Sequence, residues 1–279
     1  VVKNHPIGIL DSGVGGFSVV RALRQRLPSE KIVYLADPQY FPYGNKTPAH
    51  LLQIIQPFFS YFSEEEKTKI VITACGTVSS SCLPELRACY PFPIIGIVEP
   101  GAQAAARMTR NGVIAVLATK ATVKSALFRQ YITECNPSVR VIEKAWPEFI
   151  EAVERGEYNS QVHVNKVRRE LEELMNEGVD VLVMGCTHFS LISGFFEHLT
   201  AERAHVVDPA VATAETLHVF LYKNGIASTG TGELRVMVRG DCDSFQQALA
   251  SFPELGYHRV ERFPEKETPN IMSSKGFLC

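Results

Sequence analysis

No stretch of this 279-residue chain approaches the roughly 20 consecutive apolar residues that cross a bilayer, so no membrane association is expected. Charge of one sign is scarce too: 28 Lys and Arg stand against 30 Asp and Glu, and the basic residues are scattered. That balance offers polyanions no surface, and nucleic acid is excluded as an expected partner. The opening Val1-Val2-Lys3-Asn4-His5-Pro6 lacks the long apolar core of a secretory signal. The seven cysteines include no C-x-x-C pair. An odd number of thiols in a large apolar chain argues against a disulfide framework and for a reducing cytoplasm. Cys82, Cys89, Cys135, Cys242 and Cys279 read as small buried apolar residues in helical or terminal stretches. No metal site is expected, because Cys186 and His188 are only two positions apart and Cys75 has no neighbouring His or Cys.

With 46% hydrophobic and 21% charged residues, the chain has a globular composition and is long enough for two domains. Apolar runs of four to six residues alternate with amphipathic stretches. Strands are predicted at 6–10, 32–36, 70–74, 94–97, 113–117, 139–142, 179–184 and 205–207, with further short ones at 234–238 and 258–260. Helices are predicted at 17–27, 51–62, 123–134, 162–176 and 210–223. The alternation predicts an α/β fold of mostly parallel sheets flanked by helices. Ligands in such folds gather at the carboxyl ends of the strands.

Two cysteines stand at such ends. Cys75 follows the run Ile70–Ala74 and precedes Gly76-Thr77; Cys186 follows Val181–Gly185 and precedes Thr187-His188. They are 111 positions apart. Asp11 and Ala118 are 107 apart, Ile32 and Arg140 108, and Pro38 and Pro147 109. These near-equal offsets predict a duplicated unit, hence two pseudo-symmetric domains with the site in the cleft between them. The expected division is 1–98 with 210–279 for the first domain and 99–209 for the second. The crossings fall at the turn signal Glu99-Pro100-Gly101 and near Asp208-Pro209.

Two thiols presented alike could address one carbon from opposite faces, as inversion of a stereocentre by proton transfer requires. A free thiol has a pKa of about 8.5, so little thiolate exists at neutral pH without help. If Thr187 opens a helix, that helix end and His188 both favour a thiolate at Cys186. Asp11-Ser12-Gly13-Val14-Gly15-Gly16 follows the first strand but lacks the full G-x-G-x-x-G phosphate fingerprint; Asp11 suits a partner for a thiol proton. The segment Asp37–Lys46, fixed by Pro38 and Pro42 and opened by Gly44, reads as a rigid loop open to a ligand role. Cysteine-protease chemistry would employ Cys186 and His188 but leaves Cys75 without a role.

At these residues the chain resembles the glutamate racemases, cofactor-independent enzymes of bacterial cell-wall synthesis. D-S-G-x-G-G stands at Asp11–Gly16, P-Y-G at Pro42-Tyr43-Gly44, A-T-x-x-T-V at Ala118–Val123 and G-C-T-H at Gly185–His188. The resemblance spans nearly the whole chain. It implies a two-base mechanism without cofactor, Cys75 serving the D-enantiomer and Cys186 the L-enantiomer. It implies that Asp11 assists Cys75, that His188 assists Cys186, and that Glu154 is a further acid near the second cysteine. Ser12, Pro42, Tyr43, Gly44, Gly76, Thr77, Thr122 and Thr187 would line the substrate. A homodimer acting on glutamate in the cytoplasm is also implied.

Three positions depart from the family pattern. Gly76 stands where the family carries an asparagine that contacts the substrate, Trp146 where it commonly has cysteine, and Ser190 where it commonly has proline. A lost hydrogen bond to a charged group costs about 1.5–3 kcal/mol. Two alternatives therefore stay open: a relative acting on aspartate or a hydantoin, and a weakened paralogue that binds without catalysing.

Overall fold

A computed structural model describes residues 2–201, 203–255 and 259–264. Among the described residues ten strands form two sheets, every pair of them parallel. They are β1 (Ile7–Asp11), β2 (Ile32–Ala36), β3 (Ile70–Thr73), β4 (Ile94–Gly96), β5 (Val113–Ala118), β6 (Arg140–Ala145), β7 (Val181–Met184), β8 (His205–Val207), β9 (Leu234–Val238) and β10 (Val260–Arg262). The first sheet runs β10-β9-β2-β1-β3-β4 and the second β6-β5-β7-β8. Second-first-third-fourth is thus the order in both β2-β1-β3-β4 and β6-β5-β7-β8. The duplication read from the spacings is visible in this shared order.

Every residue of β1, β2, β3 and β7 is buried. Helices cover both faces of such strands, which is why they read as unbroken apolar runs rather than alternating ones. The covering helices show helical spacing instead: Gln161–Asn176 buries Val167, Leu171 and Leu174, and leaves its charged positions outward. Ser160 caps that helix by accepting from the His163 N–H, and Thr119 and Asp208 cap two others. Each such cap contributes about 1 kcal/mol.

The closing strands β9 and β10 bring the far end of the chain back to β2. A buried ion pair ties the same half together: Lys69 Nζ lies 2.5 Å from Glu30 and donates to the Lys3 and Ile226 carbonyls at 2.9 and 3.0 Å. Among the described residues no helix is long and apolar enough to cross a membrane.

Several local expectations need correction. Glu99-Pro100-Gly101 is not a turn but lies in the first turn of the helix Val98–Met108. Proline is tolerated in a helix's first turn, whose N–H groups have no intrahelical acceptor. The helix expected over 123–134 is two helices, Lys120–Ser125 and Leu127–Cys135, broken at Ala126 with φ 55°. The short helices Gly76–Ser81 and Leu83–Cys89 follow β3. Among the described cysteines read as buried and reduced, Cys82 is buried and free, Cys135 is exposed and Cys242 half-buried. Cys89 is disulfide-bonded. Cys279 and His258 lie outside the described residues.

Candidate active site

The two cysteines occupy equivalent stations. Cys75 is the residue before the helix Gly76–Ser81, one position past Ala74 at the end of β3. Cys186 is the residue before the helix Thr187–Leu191, one position past Gly185 at the end of β7. Both are buried, at 5% and 4% exposure. The ends of β3 and β7 thus present the thiols from the two halves, each beside the N–H groups of a short helical turn.

Around Cys186 a charged relay forms. His188 Nδ1 is 3.6 Å from the Cys186 sulfur, and His188 Nε2 is 2.6 Å from Glu154 Oε2. Burial works against a charged imidazole, but the hydrogen bonds to Cys186 and Glu154 and their charges outweigh it and raise His188 well above the usual histidine range. Glu154 also accepts from the Val14 N–H at 3.1 Å, so an acid of the second half caps the loop after β1. Phe41 packs against the His188 ring, with centroids 5.5 Å apart.

Around Cys75 the surroundings differ. Burial pushes the thiol strongly up, and the nearby Asp11 charge adds to that. Asp11 ends β1, is fully buried, and accepts from the Gly13 N–H at 3.0 Å and the Thr187 hydroxyl at 3.1 Å. Burial raises its carboxyl to about 6 against the lowering effects of His188 and both donors. One thiol therefore faces an acid in an apolar setting and the other faces an imidazole.

Hydroxyls bridge the halves. Thr77 and Thr119 share a hydrogen bond of 2.9 Å, and Thr119 bonds Thr122 at 2.9 Å. Thr77, Thr122 and Thr187 are all buried, as is Ser12 at 5% exposure. Gly76 lies among them, in close approach to the Gly185 carbonyl and the Thr122 hydroxyl. Gly44 lies against Thr119, placing the Pro42-Tyr43-Gly44 loop over the same opening. The Phe41-Pro42 bond is cis. The Tyr43 hydroxyl, however, is turned away into a buried network: it donates to Asp37 Oδ2 at 2.5 Å, and Asp37 is held by Arg239 through Nε at 2.9 Å and through Nη2. What Tyr43 offers a ligand is its main chain.

Thr119 and Arg239 were missed as site residues, and Asp37 was seen only as the start of the Asp37–Lys46 loop, without its partner. Thr119 stands inside the A-T-x-x-T-V segment and could have been found there; Asp37 and Arg239 are 202 positions apart and carry no local signal. Trp146, one of the three departures from the family pattern, packs against Phe189 and Phe196 with centroids 6.1 and 6.4 Å away. It also lines a cavity of about 430 Å³ with Lys120, Lys144 and Lys166. Its contact with the relay is indirect, through the aromatic cluster next to His188. Ser190 donates to the Met184 carbonyl at 3.4 Å, a bond proline could not make. Among the described residues no three His, Cys, Asp or Glu side chains converge as a metal would require.

Known proteins share this arrangement of chain. The Asp/Glu/Hydantoin racemase family matches residues 17–217. A glutamate racemase from Levilactobacillus brevis is 34% identical over 252 residues, covering 90% of this chain and 91% of the relative. The crystal structure of a glutamate racemase isoform from Bacillus anthracis superposes with a TM-score of 0.86 at 27% identity, covering 95% of this chain and 98% of that one. A glutamate racemase from Francisella tularensis, crystallised with D-glutamate, gives 0.83 at 25% identity over 94% of this chain and 98% of that one.

Proposed function

Since the chain belongs to the Asp/Glu/Hydantoin racemase family, we propose that this enzyme interconverts L- and D-glutamate with its two buried thiols as the groups that remove and return the α-proton. The observation that carries the reading is the pairing of Cys75 and Cys186 at equivalent strand ends of two like-ordered sheets. The curated relatives named glutamate racemase and the D-glutamate complex of the Francisella tularensis protein support glutamate as the substrate.

In the L-to-D direction, Cys186 thiolate takes the α-proton: the Cα–H bond breaks, an S–H bond forms, and the electron pair stays on the substrate. The Cys75 S–H then breaks toward the opposite face and re-forms Cα–H, leaving a thiolate at Cys75. The His188 cation, 3.6 Å from the Cys186 sulfur, offers a counter-charge to a thiolate there. Burial and Asp11 hold Cys75 as the thiol. The L-to-D direction thus calls on the acid form at Cys75, where burial favours it, and on a base at the opposite wall. Asp11, raised to about 6, can pass a proton at the Cys75 side between turnovers. Ser12, Thr77, Thr122, Thr187 and the main chain of Tyr43-Gly44 and Gly76 would hold the carboxylates and ammonium. Oriented donors in a water-poor site stabilise the charge that develops on the carboxylate; each is worth about 10²–10³ in rate.

The same proposal includes a cytoplasmic homodimer whose D-glutamate feeds peptidoglycan assembly, with 1–98 plus 210–279 and 99–209 as its two working halves. The test is proton NMR of L-glutamate with purified protein in D2O under reducing conditions, no cofactor added. Loss of the α-proton signal with appearance of D-glutamate is expected. Absence of exchange with either enantiomer at high enzyme concentration would overturn the reading; exchange of aspartate alone would move it to another substrate.

A further inference from the structure

Four glycines of the first half lie where that half meets the second. A Cβ added at Gly13 would sit 2.5 Å from a Glu154 carboxylate oxygen, and one at Gly15 2.6 Å from the Thr187 hydroxyl. At Gly44 the neighbour is the Thr119 Cβ, 3.0 Å away. At Gly76 it is the main-chain carbonyl oxygen of Gly185, 2.7 Å away, with the Thr122 hydroxyl at 3.5 Å. Gly13 and Gly44 meet only side chains, whereas a Cβ at Gly15 would also meet the main-chain nitrogen of His188, 2.8 Å away. Gly76 meets backbone, and that backbone leads directly into Cys186. A Cβ added at Gly185 would in turn meet the Leu117 carbonyl oxygen and a Val116 methyl, both at 2.9 Å, so this backbone is itself closely packed on the side toward β5.

Resting on the glutamate reading above, we propose that Gly76 is the closure residue of the cleft. Its missing side chain lets the Cys75 loop settle onto the Gly185 carbonyl, and this contact fixes the separation of the two thiols. An asparagine at position 76, the residue the family pattern carries, does not fit at this closure. Gly76 is therefore a positioning residue and not merely the loss of a hydrogen-bond donor. The distinction has a measurable consequence. If position 76 were only short of a donor, restoring asparagine would raise activity. If it is a closure contact, any side chain drives the walls apart by several tenths of an ångström, and asparagine is no better than alanine. Both sulfurs must reach one carbon from opposite sides, and a misplacement of about 1 Å is worth about 10²-fold in rate.

The experiment compares the parent protein with Gly76→Ala, Gly76→Asn and, as a folding control on the same helix, Ser81→Ala. Expected is a fall in kcat of at least about tenfold for Gly76→Ala with a smaller change in KM, and a fall at least as large for Gly76→Asn. A Gly76→Asn protein more active than its parent, or a Gly76→Ala protein within about twofold of it, overturns the proposal. Crystal structures of the parent and Gly76→Ala provide a readout free of activity. The distance from residue 76 to the Gly185 carbonyl and the Thr77–Thr119 hydrogen bond should both lengthen; unchanged wall spacing refutes the closure role. If the parent fails to exchange glutamate, the substrate reading falls while this structural comparison still decides the closure contact. Alanine is ordinarily the better residue in a helix. Unfolding of Gly76→Ala beside an intact Ser81→Ala would therefore support the collision.

Discussion

The Thr187 hydroxyl donates to the Asp11 carboxylate at 3.1 Å, across the two halves of the molecule. The residue that follows one cysteine is thereby bonded to the acid that faces the other. In the opposite sense, Glu154 of the second half, paired with His188, accepts from Val14 of the first. Each half's acid is thus anchored by a group of the other half.

The two thiols should fail separately and equally in racemisation. Cys75→Ser and Cys186→Ser are each expected to lower kcat by about 10³-fold or more, general acid–base steps contributing about 10²–10⁴. Circular dichroism and melting should stay near the parent, because serine is close in size. Full activity in either variant would remove the two-base mechanism.

Asp11 carries a stability cost from its burial. Its folded pKa of about 6 lies above the ordinary aspartate value of 3.8, so the unfolded chain ionises first as pH rises. The native state therefore loses stability between about pH 4 and 6 from this group, and the full cost of about 3 kcal/mol is present above that window. Asp11→Asn should melt higher than the parent at pH 8, show no gain at pH 4, and racemise more slowly. A lower melting temperature at pH 8 would count against the raised carboxyl.

His188 runs with the opposite sign. Its folded pKa is raised, so the stabilisation from its cation is complete below about 6.5 and is lost as pH climbs through the folded value. Glu154→Gln should bring the imidazole back toward about 6.5, followed by nitrogen or carbon NMR of the ring. The L-to-D rate should drop about 10²-fold and its alkaline limb should shift to lower pH. An unmoved histidine titration would show that Glu154 does not hold the cation.

The Arg239–Asp37 pair tests the substrate loop. Both side chains are buried, and Arg239 also lies over the Tyr40 and Phe58 rings at 4.8 and 4.4 Å. Arg239→Met would strand the Asp37 charge, at a cost of about 3–5 kcal/mol. The Tyr43 hydroxyl would lose its fixed acceptor geometry, so KM for glutamate should rise more than kcat falls. A variant with parental melting and KM would leave the network without a role in the loop.

Local chemistry made much of this protein legible from residues alone. A strand buried on both faces must be apolar throughout, so β1, β3, β5 and β7 stand out as runs, and the cysteines, glycines and threonines that follow them mark the strand ends. The repeat offset of 107–111 positions between the halves is likewise a property of sequence, and the shared strand order follows it. Errors fell where a short-range signal admits two outcomes. Glu99-Pro100-Gly101 suits a turn or a helix's first turn, and packing chose the helix; Ala126 carries no glycine-like mark for the left-handed break it makes.

Contacts between distant residues were decided only by the folded chain. Glu154 reaching both His188 and Val14, Asp11 reaching Thr187, Arg239 crossing 202 positions to Asp37, and Gly76 closing on the Gly185 carbonyl all join segments that no periodicity links. Periodicity reports which face of an element is buried, not what it is buried against. The two strand-end thiols were legible in the sequence; their unlike electrostatic settings, one beside a cation and one beside an acid, exist only because tertiary packing brought different neighbours to two similar strand ends.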